Sequence, residues 1–230
     1  MNTTTKEILL IILLLLLSAI SPNLFVIAQA GIAPLSSLAT KFLIPSVTLI
    51  FILIIILKKL KYTELIRLTV NGIVAGLIAT VALEIFRESG FRLGTMPGEL
   101  PRLMGVLLLN QFSSGPDIKS DLIGWAYHFW NGAAFGIIFS LLFGQSKAWQ
   151  GILFGLLIGI GFMMSPVVKS LGIGLFGFEF KNGFEFATTV TIAHVSYGFT
   201  LSILLMRLNK GIPNIWLRLI SPQLNVNLNK

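Results

Sequence analysis

The chain contains two histidines, and both stand inside apolar runs. His128 opens the stretch HFWNG and His194 the stretch HVSYG, so each imidazole is followed four residues later by a glycine, Gly132 and Gly198. The same stretches carry Asn131 and Tyr197, and a third apolar run carries Glu84 near its end. Imidazole can donate or accept a hydrogen bond, carry a proton or ligate a metal, and a carboxylate in such a run needs a partner or a function. Four chemistries are open to these residues. The histidines could secure helix packing by bonding Asn131, Ser196, Tyr197 or a carbonyl. Together they could hold one b-type haem, with Gly132 and Gly198 leaving room for the macrocycle; two histidines permit one such haem and exclude a second. With Glu84 they could hold one divalent metal ion. They could also form a proton- or ion-coupled transport site. Arg87 and Glu88 follow Glu84 at helical spacing, so local neutralisation of Glu84 is a further reading. No cofactor at all is the expected single outcome.

The elements that must position these groups are membrane helices. The chain is 55% hydrophobic and 11% charged, with a mean hydropathy of +0.88, and runs of spanning length recur along it. These runs are rich in Leu, Ile and Gly and lack period-two alternation, so they predict helices rather than barrel strands. Six spans are expected at 8–30, 42–58, 67–88, 122–143, 149–169 and 186–207. The run 103–109 is too short to cross and predicts an interfacial or re-entrant helix. The segment 178–186 reads either as a hairpin with a Lys-Asn-Gly loop or as the start of the last helix. The first span, with Pro22 as a break and Ala-Gln-Ala ahead of Gly31, also has features of a cleaved signal peptide, which would leave five spans.

Charge orients the helices. Lys58, Lys59 and Lys61 follow the second span and assign that end to the cytoplasm. Every other loop then has a side, and the whole net charge of +8 falls on the cytoplasmic one, with zero on the other. Anionic inner-leaflet lipid accounts for this basic balance, and no nucleic-acid motif is present. Without cysteine the chain has no disulfide, thiolate ligand or cysteine nucleophile. A nucleophile elbow, a phosphate loop, an H-E-x-x-H motif and a carboxylate dyad are also missing.

Two short patterns recur in the same order. Gly72-Ile-Val-Ala-Gly76-Leu77 matches Gly151-Ile-Leu-Phe-Gly155-Leu156, and His128 to Gly132 matches His194 to Gly198. This spacing predicts two tandem helix pairs, 62–144 and 145–210, after an N-terminal hairpin at 1–61 and before a cytoplasmic interfacial tail at 211–230. Each unit holds two spans, so the pairs would be related by a pseudo-two-fold along the membrane normal. Both histidines would lie about 10 Å below the outer boundary, at 1.5 Å per residue. A G-x-x-x-G helix followed by an H-x-x-x-G helix, duplicated, resembles small polytopic membrane protein families of unknown function. That resemblance implies membrane localisation and no chemistry.

The expected fold is an all-α, polytopic transmembrane bundle in the cell membrane with both termini cytoplasmic. Its partners are the lipid bilayer and either other membrane subunits or a second copy. The expected function is a non-catalytic small permease or a subunit of a larger membrane complex, with an outer-leaflet ligand or ion site at His128, His194, Glu84, Asn131 and Tyr197. The alternative is a haem- or metal-dependent membrane enzyme or electron-transfer subunit using the two histidines. The orientation is directly testable: a cysteine at Ser114 should react with an impermeant reagent from outside and one at Ser146 should not. The reverse pattern would overturn the topology.

Overall fold

In the computed structural model, residues 5–215 are described. Among them the fold is all helical, with no strand. We number the helices α1 (Thr5–Gln29), α2 (Leu35–Lys59), α3 (Thr63–Arg92), α4 (Leu100–Leu108), α5 (Ile118–Phe143), α6 (Ala148–Ser170) and α7 (Gly183–Leu208). All but α4 are long and apolar enough to cross a bilayer. Their outward faces carry large exposed apolar side chains, such as Leu16 (63%), Ile55 (57%), Ile85 (59%) and Leu157 (59%). Water would penalise such surface and lipid does not, as expected of a multi-pass membrane protein.

Helix breaks follow local chemistry. Pro22 lacks an N–H, yet α1 continues through it to Gln29 rather than breaking there. The neighbouring polar groups are used instead: Tyr127 Oη donates to the Ser21 carbonyl at 2.8 Å, and Ser21 Oγ donates to Asn131 Oδ1 at 2.5 Å. In α2 the turn Ala39–Leu43 is π-helical and leads into Pro45, whose missing donor such a widened turn absorbs. In α6 the helix is interrupted before Pro166, where Ser165 Oγ accepts from the Val167 N–H at 3.2 Å. The segment 178–186 does not form a hairpin: α7 begins at Gly183, and buried Phe186 packs with Met163, Val168 and Val190. Helical backbone bonding satisfies every amide locally, whereas an isolated two-stranded ribbon leaves both its edges open.

Two close crossings organise the bundle. Between α3 and α5, Gly72 lies against the backbone of Gly136 and Ile137, and Gly76 against Gly132 and Ala133. Between α6 and α7, Gly151 lies against Gly198 and Ser202, and Gly155 against His194 and Gly198. Lipid gives helices no hydrophobic reason to associate, so packing of this closeness is what holds them. The pairs meet through α3 and α7, with Tyr197, Leu201 and Leu205 packed on Ala75, Ala79 and Leu83. Short α4 lies across α5, Gly105 against Ser120 and Gly124, and Arg102 forks onto Asp121 at 3.1 Å.

At the end of the bundle where α3 starts, Asn209 is fully buried. Its Nδ2 donates to Ser140 Oγ at 2.9 Å and to the Gly144 carbonyl at 3.1 Å, while its Oδ1 accepts from Asn71 at 2.9 Å. One amide thus ties α3, α5 and α7. Most of the tail expected at 211–230 lies outside the described residues, although Ile212 is buried against the core. Ser146 is buried as well, its hydroxyl donating to the Ser202 carbonyl at 2.9 Å. Exposed Lys147 next to it is therefore the better labelling position for that loop.

The crossing can be tested with one methyl group. A Cβ on Gly76 would fall 2.8 Å from Ala133 Cα, whereas one on Gly161 meets nothing within 4 Å. Gly76→Ala should cost about 1–3 kcal/mol, the usual range for overpacking, and lower the unfolding temperature in detergent. Gly161→Ala should leave it unchanged or raise it. Equal effects would show that the glycine contact is not what holds α3 to α5.

Candidate functional site

The polar groups singled out in the sequence collect at the end of the bundle where α3 stops and α5 starts. There the α5 N-terminus is set by Asp117, whose Oδ1 accepts from the Ser120 N–H at 2.7 Å while Ser120 Oγ accepts from the Asp117 N–H at 2.9 Å. The Ser120 N–H holds the Asp117 carboxyl below its ordinary range. This reciprocal cap fixes where α5 starts and hence the height of His128, three turns further on.

Glu84 is at the centre. Arg87, one turn along α3, forks onto it: Nε lies 2.7 and 2.8 Å from the two carboxylate oxygens and Nη2 lies 2.5 Å from Oε2. From α5, His128 Nε2 approaches Glu84 Oε1 at 2.8 Å. Glu84 and Arg87 are buried, at 8% and 4% exposure. The guanidinium sits 5.7 Å from the Trp125 ring, and its Nη1 is buried without a hydrogen-bond partner. The local reading of Glu84 with Arg87 and the pairing with His128 therefore hold together, since the two oxygens of one carboxylate can serve both side chains.

His194 stands apart from this cluster. Its Nδ1 lies 2.8 Å from the Val190 carbonyl of its own helix, and its ring stacks on Phe162 at 5.9 Å between centroids. Asn131 accepts from Ser21, and Tyr197 Oη donates to the Gly132 carbonyl at 2.7 Å, which makes Tyr197 a strut between α7 and α5. Ser196 takes no part in a bond to either imidazole. Among the described residues no group of three His, Asp or Glu side chains is gathered to hold a metal ion. Glu84 keeps company with His128, and His194 with Val190.

What joins the two histidines is empty space. A cavity of about 650 Å³ is lined by Arg87, His128, Asn131 and His194 at its polar side and by Phe135, Phe154 and Phe162 among its apolar walls. A second pocket of about 60 Å³, also bordered by both histidines, reaches Thr80 and Tyr197. The larger cavity lies between α1 and α6 over a floor of α5 and α7. Its rim residues Asn23, Leu157 and Gly161 are exposed on the lipid-facing side. α1 and α6 are tied at one end, where Ser170 Oγ donates to Gln29 Oε1 at 2.6 Å. Sequence reading located Glu84, His128, Asn131 and His194 but not the contribution of α1. The signal was there: Ser21-Pro22-Asn23 is a polar interruption in an otherwise apolar run.

The pattern of a family described as "Family of unknown function (DUF6789)" matches residues 66–214. The match takes in α5, α6 and α7 and nearly all of α3, with every polar residue of the site except those of α1. No curated protein matches the chain. No solved structure matches it either.

The buried pair yields a double-mutant cycle. Glu84→Leu or Arg87→Met alone strands a buried charge and should cost about 3–5 kcal/mol in unfolding measured in detergent. The double variant should lose clearly less than the sum. Additive losses would mean that the two side chains are stabilised independently.

Proposed function

The chain belongs to DUF6789, a family of unknown function, and we propose that it is a non-catalytic integral membrane protein that holds a membrane-soluble ligand between its helices. It would act as a small permease or as the ligand-holding subunit of a larger complex. The observation that carries this reading is the cavity of about 650 Å³ with a polar side at His128, His194, Arg87 and Asn131 and a rim on the lipid-facing surface. Its size is within the range of about 300–1,000 Å³ typical of small-molecule sites. A ligand entering from the bilayer would leave one apolar environment for another and gain the polar contacts.

The tandem-pair arrangement supports the same reading. The contact of Gly76 with Gly132 corresponds, under the sequence match, to that of Gly155 with Gly198, and the contact of Gly72 with Gly136 to that of Gly151 with Ser202. Such correspondence is what a pseudo-two-fold along the membrane normal would produce, and duplicated membrane folds place their sites between the copies. The charge division supports an orientation with both termini in the cytoplasm and the site in the outer half of the membrane.

Haem ligation by the two histidines is the competing reading, favoured by their sharing one cavity. Against it, His128 Nε2 is engaged with Glu84 at 2.8 Å, so iron would have to displace that bond or use Nδ1. The ligand-site reading is tested in phosphatidylcholine nanodiscs with n-decylbenzene. Wild type should show a saturable rise in unfolding temperature, and Gly161→Trp, which fills the cavity mouth, should abolish it. Non-saturable partition in both would remove the reading. A b-type absorption lost in His128→Ala or His194→Ala would replace it with electron transfer.

A further inference from the structure

The hydrogen bonds that hold the two imidazoles also determine which face of each ring is left over. A backbone carbonyl can only accept, so His194 Nδ1, 2.8 Å from Val190 O, carries the ring proton. The ordinary imidazole at neutral pH carries one proton, which leaves His194 Nε2 as a bare lone pair. A carboxylate already forked by Arg87 accepts, so His128 Nε2 donates to Glu84 Oε1 and His128 is committed to that cluster. No hydrogen bond to His194 Nε2 is made among the described residues, and the His194 ring borders the cavity. A lone pair left dry costs free energy that a donor would recover.

Resting on the ligand-site reading above, we infer that the cavity takes a neutral membrane amphiphile whose head is a hydroxyl donor and whose body is apolar or aromatic. The hydroxyl hydrogen is received by His194 Nε2. His194 is the better receiver because its ring lies outside the Glu84 cluster and is held flat by the Phe162 stack. The hydroxyl oxygen, an acceptor in its own right, can take a bond from the Asn131 amide on the same wall. The three phenylalanines Phe135, Phe154 and Phe162 receive the apolar body. Charge balance points the same way. The Glu84 carboxylate is already matched by Arg87, so it is not free to pair with a cationic head. An ester or ether of the same shape offers only acceptors and leaves the His194 lone pair unpaired.

The matched probes are 4-decylphenol and its methyl ether, 4-decylanisole, added to the full-length protein in phosphatidylcholine nanodiscs. Binding is followed by saturable shifts in unfolding temperature and by the imidazole ¹⁵N resonances. The phenol should bind at least about tenfold more tightly than the ether, since sites built to pair a hydroxyl discriminate strongly against analogues lacking it. The His194 Nε2 resonance should shift on binding the phenol and not the ether. His194→Phe, which preserves a ring for the Phe162 stack, should bring the two probes to equal affinity, and His194→Gln, which restores an acceptor, should recover part of the preference. If the His194→Phe variant does not fold, the comparison in wild type and His194→Gln decides. Saturable binding of both probes with equal affinity would overturn the hydroxyl inference and leave the ligand-site reading standing. Saturable binding of neither would overturn both.

Discussion

Lipid offers no hydrogen bonds, so a polar group in the spanning part of this protein is costly unless it finds a partner inside the protein. That constraint makes the described fold all helical, because a helix satisfies its own backbone. It also determines how the helices meet. With apolar side chains equally content in lipid, association depends on backbone contact, and the glycines at Gly72, Gly76, Gly132 and Gly136 on one crossing and Gly151, Gly155 and Gly198 on the other permit it. Buried side-chain polar groups then appear where they can be matched across helices. Asn209 joins α3, α5 and α7 at one end, and Glu84 joins α3 and α5 at the other.

The two ends differ in what they leave unsatisfied. Around Asn209 the amide's described bonds are to Ser140, Gly144 and Asn71, all parts of neighbouring helices or their ends, and Asn209 is itself fully buried. Around Glu84 the carboxylate is saturated, but Arg87 Nη1 lacks an acceptor and each histidine uses one nitrogen only. Close packing and a cavity thus coexist within one bundle. The close glycine crossings lie within the pairs α3–α5 and α6–α7, while α1 and α6 stand apart enough to leave a side opening whose far end is tied by Ser170 and Gln29. The proposed ligand site rests on this one poorly filled seam.

Much of this was legible in the sequence. Five of the six spanning runs end within four residues of their expected bounds, the second starts seven residues early at Leu35, and the short run around Pro101 forms a nine-residue helix too short to cross. Glu84 and His128 were chosen for their types and depth, and they bond each other. Other features were not legible. Both an isolated ribbon and a helix start were consistent with Phe178 to Phe186, because alternating phenylalanines fit either period over so few residues; burial of Phe186 against α6 decided it. Pro22 suggested a break, yet α1 continues past it as a helix, and the polar groups beside it are drawn to Tyr127 and Asn131 on α5.

The sequence by itself determined that the chain is built of membrane-spanning helices and which polar side chains they carry inward, because hydropathy and helical propensity are read within a single run. Only the tertiary structure decided what those side chains do. Glu84 and His128 lie 44 residues apart and His194 a further helix pair away. Whether they touch depends on the rotation and crossing of helices, and these are set by backbone contacts between glycines on different segments. The size and shape of the cavity have no sequence signal, since it is the space the helices fail to fill when those contacts are made.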